Sequence, residues 1–174
     1  IPLFIGFLLL YSRRMQKIST ESQQDAPLYF EDFAVGQRIE TERYTISLER
    51  ALAFAHEYDP QYYHIDEEAA KKSVYGRLIV SGWQTSAVTM RLKAGTMLAR
   101  IKGGLLGLGV EQLKWPCAVF PGDTLHVVIT ITDKRLSKSK PTHGVMKYKM
   151  ETFNQNGERV METDTAVWVP VRGA

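Results

Sequence analysis

The order of hydrophobic patterns along the chain predicts an α+β fold in which a curved antiparallel sheet wraps around one long central helix. The segment from Leu78 to Met90 carries no charged residue, which is typical of a helix that is buried on nearly all sides. From Leu105 onward, apolar and polar residues alternate with a period of two over segments long enough for strands. Helical segments followed by a run of strands favour an antiparallel sheet with its helices on one face.

The first half of the chain predicts one strand and two helices before the central helix. Phe33–Ser47 alternates in polarity, and we expect a single strand there after a turn. Ser47 precedes apolar residues at helical spacing, so it is expected to cap a helix. Pro60 cannot continue that helix, which must therefore stop at Asp59. Asp66–Lys72 is acidic at its start and basic at its end, which predicts a short second helix with Asp66 as its N-cap.

Four strands are predicted in the second half of the chain. They are separated by turn sequences rich in glycine, proline and asparagine, which supply the backbone angles that tight turns need. A sheet of this kind has exposed edges, and pairing two copies at an edge would cover them. We therefore expect a homodimer or a higher homo-oligomer. The predicted strands are Leu105–Trp115, Asp123–Arg135, His143–Asn154 and Arg159–Pro170, and the clearest turns are Phe120–Asp123 and Asn154–Gly157.

The length of 174 residues suits one domain, which we place at residues 28–174 after an N-terminal extension over residues 1–27. The extension joins an apolar segment to a polar linker. Its first ten residues are apolar but too few to span a bilayer, which takes about 20 residues, and no basic residue precedes them as in a signal peptide. Two interpretations remain open: an upstream addition before a natural start at Met15, or a helix that docks on a partner subunit.

The composition excludes several classes of function. A net charge of +3 is mild, and the basic residues form no aromatic-rich cluster, so we expect neither nucleic acid nor a membrane as a partner. One cysteine rules out an internal disulfide and fits a reducing compartment, for which we expect the cytoplasm. The four histidines show no paired ligand spacing, so no metal site is expected.

The chemistry-bearing stretch is Asp59-Pro-Gln-Tyr-Tyr-His64, which places a carboxylate and an imidazole five residues apart on a loop stiffened by proline. A Ser-Gly step at Gly82 then follows at the start of the charge-free segment. Taken singly, an aspartate before proline is typical of a turn and a lone histidine of a solvated loop. Taken together, two proton-handling groups can flank one water, and a helix start offers free amides to an oxyanion.

At these residues the sequence resembles the MaoC-like dehydratases of the hotdog fold, which include the (R)-specific enoyl-CoA hydratases. Asp59, Gln61 and His64 fall on the first, third and last residues of the family motif Asp-x-Asn-Pro-x-His. The motif's proline is replaced by Tyr62, and a proline follows the aspartate directly instead. The resemblance covers about Leu28 to Val171. Further matching segments are Gly76–Gly82, Leu113–Trp115, Val119–Leu125, Ser137–Pro141 and Asn154–Gly157.

The resemblance implies a hydro-lyase that adds water to an acyl thioester or removes it, as an (R)-specific 2-enoyl-CoA hydratase or 3-hydroxyacyl-CoA dehydratase does. Asp59 and His64 would orient the water and shuttle its proton, with a dry site raising the pKa of the aspartate. The amide of Gly82 would form the oxyanion hole. The substrate would be an acyl-CoA, and no cofactor would be required.

Six further residues are predicted to bind substrate. Gln61 either contacts the substrate or pins the turn, and Tyr63 serves as pocket wall or packing. Trp83, beside Ser81 and Gly82, is also expected to pack in the core. The basic run that includes Lys138 and Lys140 either meets the phosphates of coenzyme A or forms a solvated loop. The full set is Gln61, Tyr63, Ser81, Trp83, Lys138 and Lys140.

Two other functions are compatible with the same fold. One is a hotdog acyl-CoA thioesterase, but many of those place a catalytic carboxylate on the central helix, and Leu78–Met90 contains none. The other is a non-catalytic module that binds acyl thioesters. Turnover of enoyl thioesters separates the first hypothesis from both.

Overall fold

The computed structural model describes residues 26–174, so the predictions about the apolar segment at the start of the chain lie outside the described residues. The strands form one antiparallel sheet in the order β1-β4-β5-β6-β3, and β2 pairs with β4 as well. This arrangement confirms the predicted α+β class. The helices are α1 Leu48–Tyr58, α2 Tyr62–Ile65, α3 Glu67–Ala70 and α4 Gly82–Ala94, and the strands are β1 Arg38–Glu40, β2 Tyr44–Thr45, β3 Leu106–Lys114, β4 Thr124–Leu136, β5 His143–Phe153 and β6 Arg159–Pro170.

The four strands of the second half agree with the prediction to within one residue at each end. Their boundaries are set by the predicted turns. At the first, the amide of Asp123 donates to the carbonyl of Phe120 over 3.0 Å, and Gly122 has φ +97°, which only glycine adopts without strain. At the last, the amide of Gly157 donates to the carbonyl of Asn154 over 3.1 Å.

The single strand predicted over Phe33–Ser47 is wrong, because the chain forms two short strands on the same edge of β4. Thr41 lies between them. Its amide donates to the carbonyl of Val127 over 3.0 Å, and its hydroxyl accepts from the amide of Val127 over 2.9 Å. A side-chain oxygen thus takes the place of a backbone carbonyl, and the regular ladder is interrupted.

Both predicted N-caps are confirmed. The hydroxyl of Ser47 accepts from the amide of Arg50 over 3.3 Å at the start of α1, and a carboxylate oxygen of Asp66 accepts from the amide of Ala69 over 2.9 Å at the start of α3. Helix α1 ends where the proline requires. The second predicted helix is shorter than expected, with a single turn over Glu67–Ala70.

The central helix begins four residues later than predicted and ends four residues later. Residues 78–81 are extended because their amides bind elsewhere: Ile79 donates to the carbonyl of Tyr63 over 3.1 Å, and Val80 donates to the carbonyl of Val119 over 2.8 Å. The hydroxyl of Ser81 then caps the helix by accepting from the amide of Trp83 over 3.2 Å. Beyond Met90 the helix continues for another turn, since a charged residue does not by itself end a helix.

The core lies between α4 and the concave face of the sheet. Val88 and Leu92 of α4 pack with apolar residues of β4, β5 and β6. The prediction that α4 is buried on nearly all sides is wrong, since Trp83 is 60% exposed and Met90 48%. Trp83 therefore does not pack in the core. The absence of charged residues indicates an apolar helix. It does not show which face of that helix the sheet covers and which face stays exposed.

Within the described residues, strand β3 forms an edge of the sheet and pairs only with β6. Apolar side chains on it are exposed, including Leu106, Leu108 and Val110. Within residues 26–174, no helix is long and apolar enough to cross a membrane. In the same part of the chain, no three histidine, cysteine or acidic side chains are grouped as a metal site requires.

Candidate active site

Asp59 and His64 come together because the chain turns sharply between α1 and α2. The amide of Asp59 closes α1 by donating to the carbonyl of Ala55 over 2.9 Å, and Pro60 prevents a further turn. Helix α2 then carries His64 back toward the end of α1. Nε2 of His64 lies 3.3 Å from Oδ2 of Asp59, and both side chains line a cavity of about 530 Å³. Two proton-handling groups therefore face one space large enough for a substrate.

The carboxylate of Asp59 is held in its ionised form. Burial would raise its pKa, but this effect is outweighed by hydrogen bonds from Ser81 and Gln61 and by the charge of His64, so the pKa is lowered from its ordinary value of 3.8. The hydroxyl of Ser81 donates to Oδ2 over 2.7 Å, and the amide group of Gln61 donates to Oδ1 over 2.8 Å. The expectation that a dry site raises the pKa of Asp59 is therefore wrong in direction.

The hydrogen bonds of His64 decide which ring nitrogen handles a proton. Nδ1 lies 2.8 Å from the carbonyl oxygen of Ile79. A carbonyl oxygen only accepts, so Nδ1 must carry the hydrogen and donate it. In the neutral ring, Nε2 then has a free lone pair on the side that faces Asp59. His64 is 5% exposed, so its orientation is fixed by packing as well as by this bond.

Gly82 provides the first amide of α4 at the wall of the same cavity. Among residues 26–174, no atom accepts a hydrogen bond from this amide, so it is available to a ligand. Glycine is required by close packing here. A Cβ at position 82 would lie 3.0 Å from Cε2 of Trp115, which is closer than side chains normally approach. The free amide and the start of the helix together favour negative charge.

The other predicted residues of the loop support the pair in different ways. Gln61 and Tyr63 line the cavity, and the hydroxyl of Tyr63 donates to the side-chain oxygen of Gln61. Gln61 therefore links Tyr63 to the carboxylate of Asp59. Ser81 is 1% exposed and forms no part of the cavity wall. Its hydroxyl lies behind Asp59, where it joins the carboxylate to the start of α4.

The two predicted lysines lie far from the cavity within one chain. Lys138 and Lys140 follow β4, whereas the cavity is beside the residues that precede β4. The 13 residues of β4 span roughly 40 Å at about 3.3 Å each. Lys138 is exposed, and Nζ of Lys140 lies 4.9 Å from the ring centre of Trp168. A single chain therefore does not bring these lysines to the site, whereas Trp83 does line the cavity.

Several cavity residues were not predicted as site residues. Tyr75 packs beside Tyr63 with ring centres 5.9 Å apart, and Trp115 lies edge-on to Trp83 at 5.3 Å. Cys117 also lines the cavity and is exposed. The one available signal was Gly82, because a glycine at a helix start indicates close approach by another group. Nothing in the local sequence identifies that group as Trp115, which is 33 positions away.

Comparisons with known proteins identify the family of the chain. The model of the MaoC-like domain family matches residues 32–153. An uncharacterised protein of Bacillus subtilis, YdeM, is 29% identical over 141 residues, which are 80% of this chain and 96% of that protein. The crystal structure of a MaoC-like dehydratase from Rhodospirillum rubrum is 41% identical with a TM-score of 0.79, over 84% of this chain and 99% of that one.

A more distant structure shares the fold. An unliganded R-hydratase from Pseudomonas aeruginosa superposes with a TM-score of 0.66 at 21% identity, over 84% of this chain and 88% of that one. The sheet and central helix thus have the hotdog arrangement that the resemblance implied. With the family model matched over most of the described residues, the chain belongs to the MaoC-like dehydratase domain family.

Proposed function

We propose that this protein is a hydro-lyase acting on an acyl thioester, as an (R)-specific 2-enoyl-CoA hydratase or 3-hydroxyacyl-CoA dehydratase. The observation that carries the proposal is the 3.3 Å approach of His64 Nε2 to Asp59 Oδ2 in a cavity that the free amide of Gly82 also lines. Membership of the MaoC-like dehydratase family supports the same reaction class.

In the hydration direction, a water molecule is held between Asp59 and His64. Nε2 of His64 takes a proton from the water as its oxygen bonds to Cβ of the substrate. The electrons of the carbon–carbon double bond move onto the thioester oxygen, which the Gly82 amide stabilises. The protonated imidazole then returns a proton, and Cα takes it up. The ionised carboxylate of Asp59 orients the water and stabilises the imidazolium.

The structure offers less support for the thioesterase hypothesis. Helix α4 contains no aspartate or glutamate along its whole length. A thioesterase of the kind that uses a carboxylate on the central helix therefore lacks that group here. A non-catalytic binding module would not require an imidazole nitrogen and a carboxylate to meet at the wall of a cavity that a free helix amide also lines. These two observations favour the hydro-lyase over both alternatives.

The proposal extends to the substrate carrier, the assembly and the location. The acyl group is proposed to be carried as a coenzyme A thioester, and the reaction is redox-neutral with water as the second substrate, so it requires no cofactor. We propose a homodimer that covers the exposed apolar residues of α4 and β3. In this proposal Lys138 and Lys140 bind the phosphates of coenzyme A only if the lysines of a second copy lie beside the cavity. The proposed location is the cytoplasm.

The direct test is substitution of Asp59 by asparagine, which keeps the size of the side chain and removes its charge. We expect kcat for hydration of a trans-2-enoyl-CoA to fall by about 10²–10⁴-fold, since the water loses its orientation and the imidazolium its counter-charge. The rate is followed as loss of the enoyl absorbance. Asp133→Asn, an exposed position on β4, makes the same chemical change and should leave the rate unchanged. Hydration at nearly the wild-type rate in Asp59→Asn would contradict the proposal.

A further inference from the structure

A second groove runs along α4 from the candidate active site. Trp83, Ser86, Met90 and Lys93 follow one another at intervals of three and four residues, so they share one face of the helix. This face lines a cavity of about 440 Å³ whose opposite wall comes from β3, β5 and β6. Trp83 lines both cavities. The groove is therefore adjacent to the thioester site and follows α4 toward its C-terminal end.

The groove is lined mostly by apolar residues, and its polar side chains are Ser86, Lys93, Tyr148, Thr163 and Thr165. Lys93 is 9% exposed, and its Nζ donates to the hydroxyl of Tyr148 over 3.1 Å. Within residues 26–174 no acidic side chain lies within ion-pair distance of it. Thr163 lines the same groove, is 3% exposed, and its hydroxyl has no hydrogen-bond partner in that part of the chain. Lys93 is thus buried with a hydrogen-bond partner but without a counter-charge, and Thr163 lacks the partner that buried polar groups normally have.

Lys93, Tyr148 and Thr163 can each donate a hydrogen bond, and no acidic side chain of residues 26–174 pairs with Lys93. The register of β5 and β6 pairs Tyr148 with Thr165 and Met150 with Thr163, so Tyr148 and Thr163 are diagonal neighbours on one face of the sheet. Lys93 has two further N–H groups, and burial lowers its pKa because no anion is present to stabilise the charge. Burial also raises the pKa of Tyr148 to about 12, so its hydroxyl remains a donor.

We propose that the groove receives the far end of the acyl chain, and that the preferred substrate carries a carboxylate there, bound by Lys93 and Tyr148 with Thr163 beside them. This inference rests on the proposed function. A carboxylate accepts hydrogen bonds from several donors at once, and it supplies the negative counter-charge that Lys93 lacks. Its apolar methylene chain lies against Met90 and the walls of β3. The substrate class is therefore an ω-carboxyacyl thioester.

The position of Lys93 also sets the length of that chain. Lys93 is 11 residues after Gly82, which is about 16 Å along the helix. The lysine side chain leans back toward the start of α4 and shortens this distance by part of its own length. A four-carbon dicarboxylic chain is too short to reach from the thioester to Nζ, whereas a chain of about eight carbons is long enough.

The test compares two 2-enoyl-CoA substrates of eight carbons that differ only at the far end, one with a carboxylate and one with a methyl group. We expect the wild-type protein to prefer the carboxylate by tenfold or more in kcat/KM. In Lys93→Met, whose side chain is apolar and of similar length, the preference should be lost, mainly through a higher KM for the carboxylate-ended substrate. Lys102→Met, at an exposed position, is the matched control.

Binding of the corresponding saturated thioesters separates this inference from the proposed reaction. Calorimetry with ω-carboxyheptanoyl-CoA and octanoyl-CoA, whose acyl groups both have eight carbons, requires no turnover. If no enoyl thioester is hydrated, the proposed reaction fails, yet a binding preference for the carboxylate that disappears in Lys93→Met still supports the groove. Equal binding of both thioesters by the wild-type protein would overturn the inference, as would a Lys93→Met variant that keeps the preference.

Discussion

At the scale of single residues, the site depends on how three hydrogen bonds fix one carboxylate and one imidazole. Ser81 and Gln61 each donate to a different oxygen of Asp59, while Ile79 fixes the ring of His64 from the other side. The carboxylate is ionised as a result, and Nε2 of His64 is the nitrogen free to take a proton. We therefore propose that Ser81 is a positioning residue, which acts on the water only through Asp59.

Replacement of Ser81 by alanine tests this positioning role. Its hydrogen bond lowers the pKa of Asp59, so we expect the pKa to rise in Ser81→Ala and kcat to fall by about tenfold. The carboxyl carbon of Asp59 can be titrated directly by NMR. The lost helix cap costs about 1 kcal/mol of stability in addition. Ser81→Thr, which keeps a hydroxyl, should restore much of both, whereas an unchanged pKa in Ser81→Ala would contradict the role.

The lowered pKa of Asp59 also determines how the stability of the fold changes with pH. Because the folded-state pKa of Asp59 lies below its ordinary value of 3.8, its ionisation stabilises the fold above that pH. This contribution is lost as the pH falls through the folded-state pKa. In Ser81→Ala the contribution should be smaller and its loss complete at a higher pH, which denaturant unfolding at a series of acidic pH values measures.

The sequence identified Asp59 and His64 as the candidate catalytic pair, but it did not predict the residues that surround them. The spacing of Asp59 and His64 is local, and the proline between them marks where the helix must end. The direction of the Asp59 pKa was missed, because it depends on Ser81, which is 22 positions away. Lys93 was missed for the same reason, since its partner Tyr148 lies on a strand 55 positions later and its burial follows from the packing of that strand.

At the scale of elements, close contacts between segments explain two glycines that no turn requires. Phe30 belongs to a short 3-10 turn, Phe30–Asp32, that packs on the start of β5. A Cβ at Gly144 would overlap the ring of Phe30. The glycine thus lets the segment at the start of the described chain lie flat on the sheet. Gly82 plays the same part beneath Trp115 at the active site.

Gly144→Ala tests the contact with Phe30. The added methyl group forces the ring out of its place, and we expect a loss of about 1–3 kcal/mol of stability, as in other overpacked sites. The denaturant midpoint measures it. Gly107→Ala on β3 is the matched control, because a Cβ there meets nothing within 4 Å. Equal midpoints for the two variants would show that the ring moves without cost.

The boundaries of elements were predicted well where the signal is local. Strand alternation and glycine turns located β4, β5 and β6. The start of α4 was missed because Ile79 and Val80 give their amides to carbonyls of α2 and of the segment before β4, and those partners are set by the tertiary fold. The break between β1 and β2 at Thr41 has a similar origin, since it depends on the opposing residue Val127.

At the scale of the whole molecule, residues 26–174 of one chain leave an apolar surface exposed. Trp83 and Met90 of α4 and Val110 of the edge strand β3 are each about half exposed or more. Unpaired backbone groups along β3 make this edge able to pair with another strand. The prediction that Trp83 is buried failed for this reason, because burial on that side depends on what covers the groove.

Substitution of Val110 by lysine tests whether a second copy covers this surface. We expect the wild-type protein to be a dimer by light scattering and Val110→Lys to shift toward the monomer, since a charge on an edge strand opposes pairing. Val74→Lys is the control, because Val74 is 95% exposed outside this surface. A wild-type monomer, or a dimer that Val110→Lys leaves intact, would contradict a dimer built on β3.

The central claim is that Asp59 and His64 act on one water molecule as a unit. Hydration of a trans-2-enoyl-CoA by Asp59→Asn, His64→Gln and the double variant tests it most directly. We predict that each single change lowers kcat by about 10²–10⁴-fold and that the double change costs little more than the worse single one, because groups that act together are not additive. His56→Gln, exposed on α1, is the control. Losses that multiply in the double variant, or a single variant with the wild-type rate, would contradict the account.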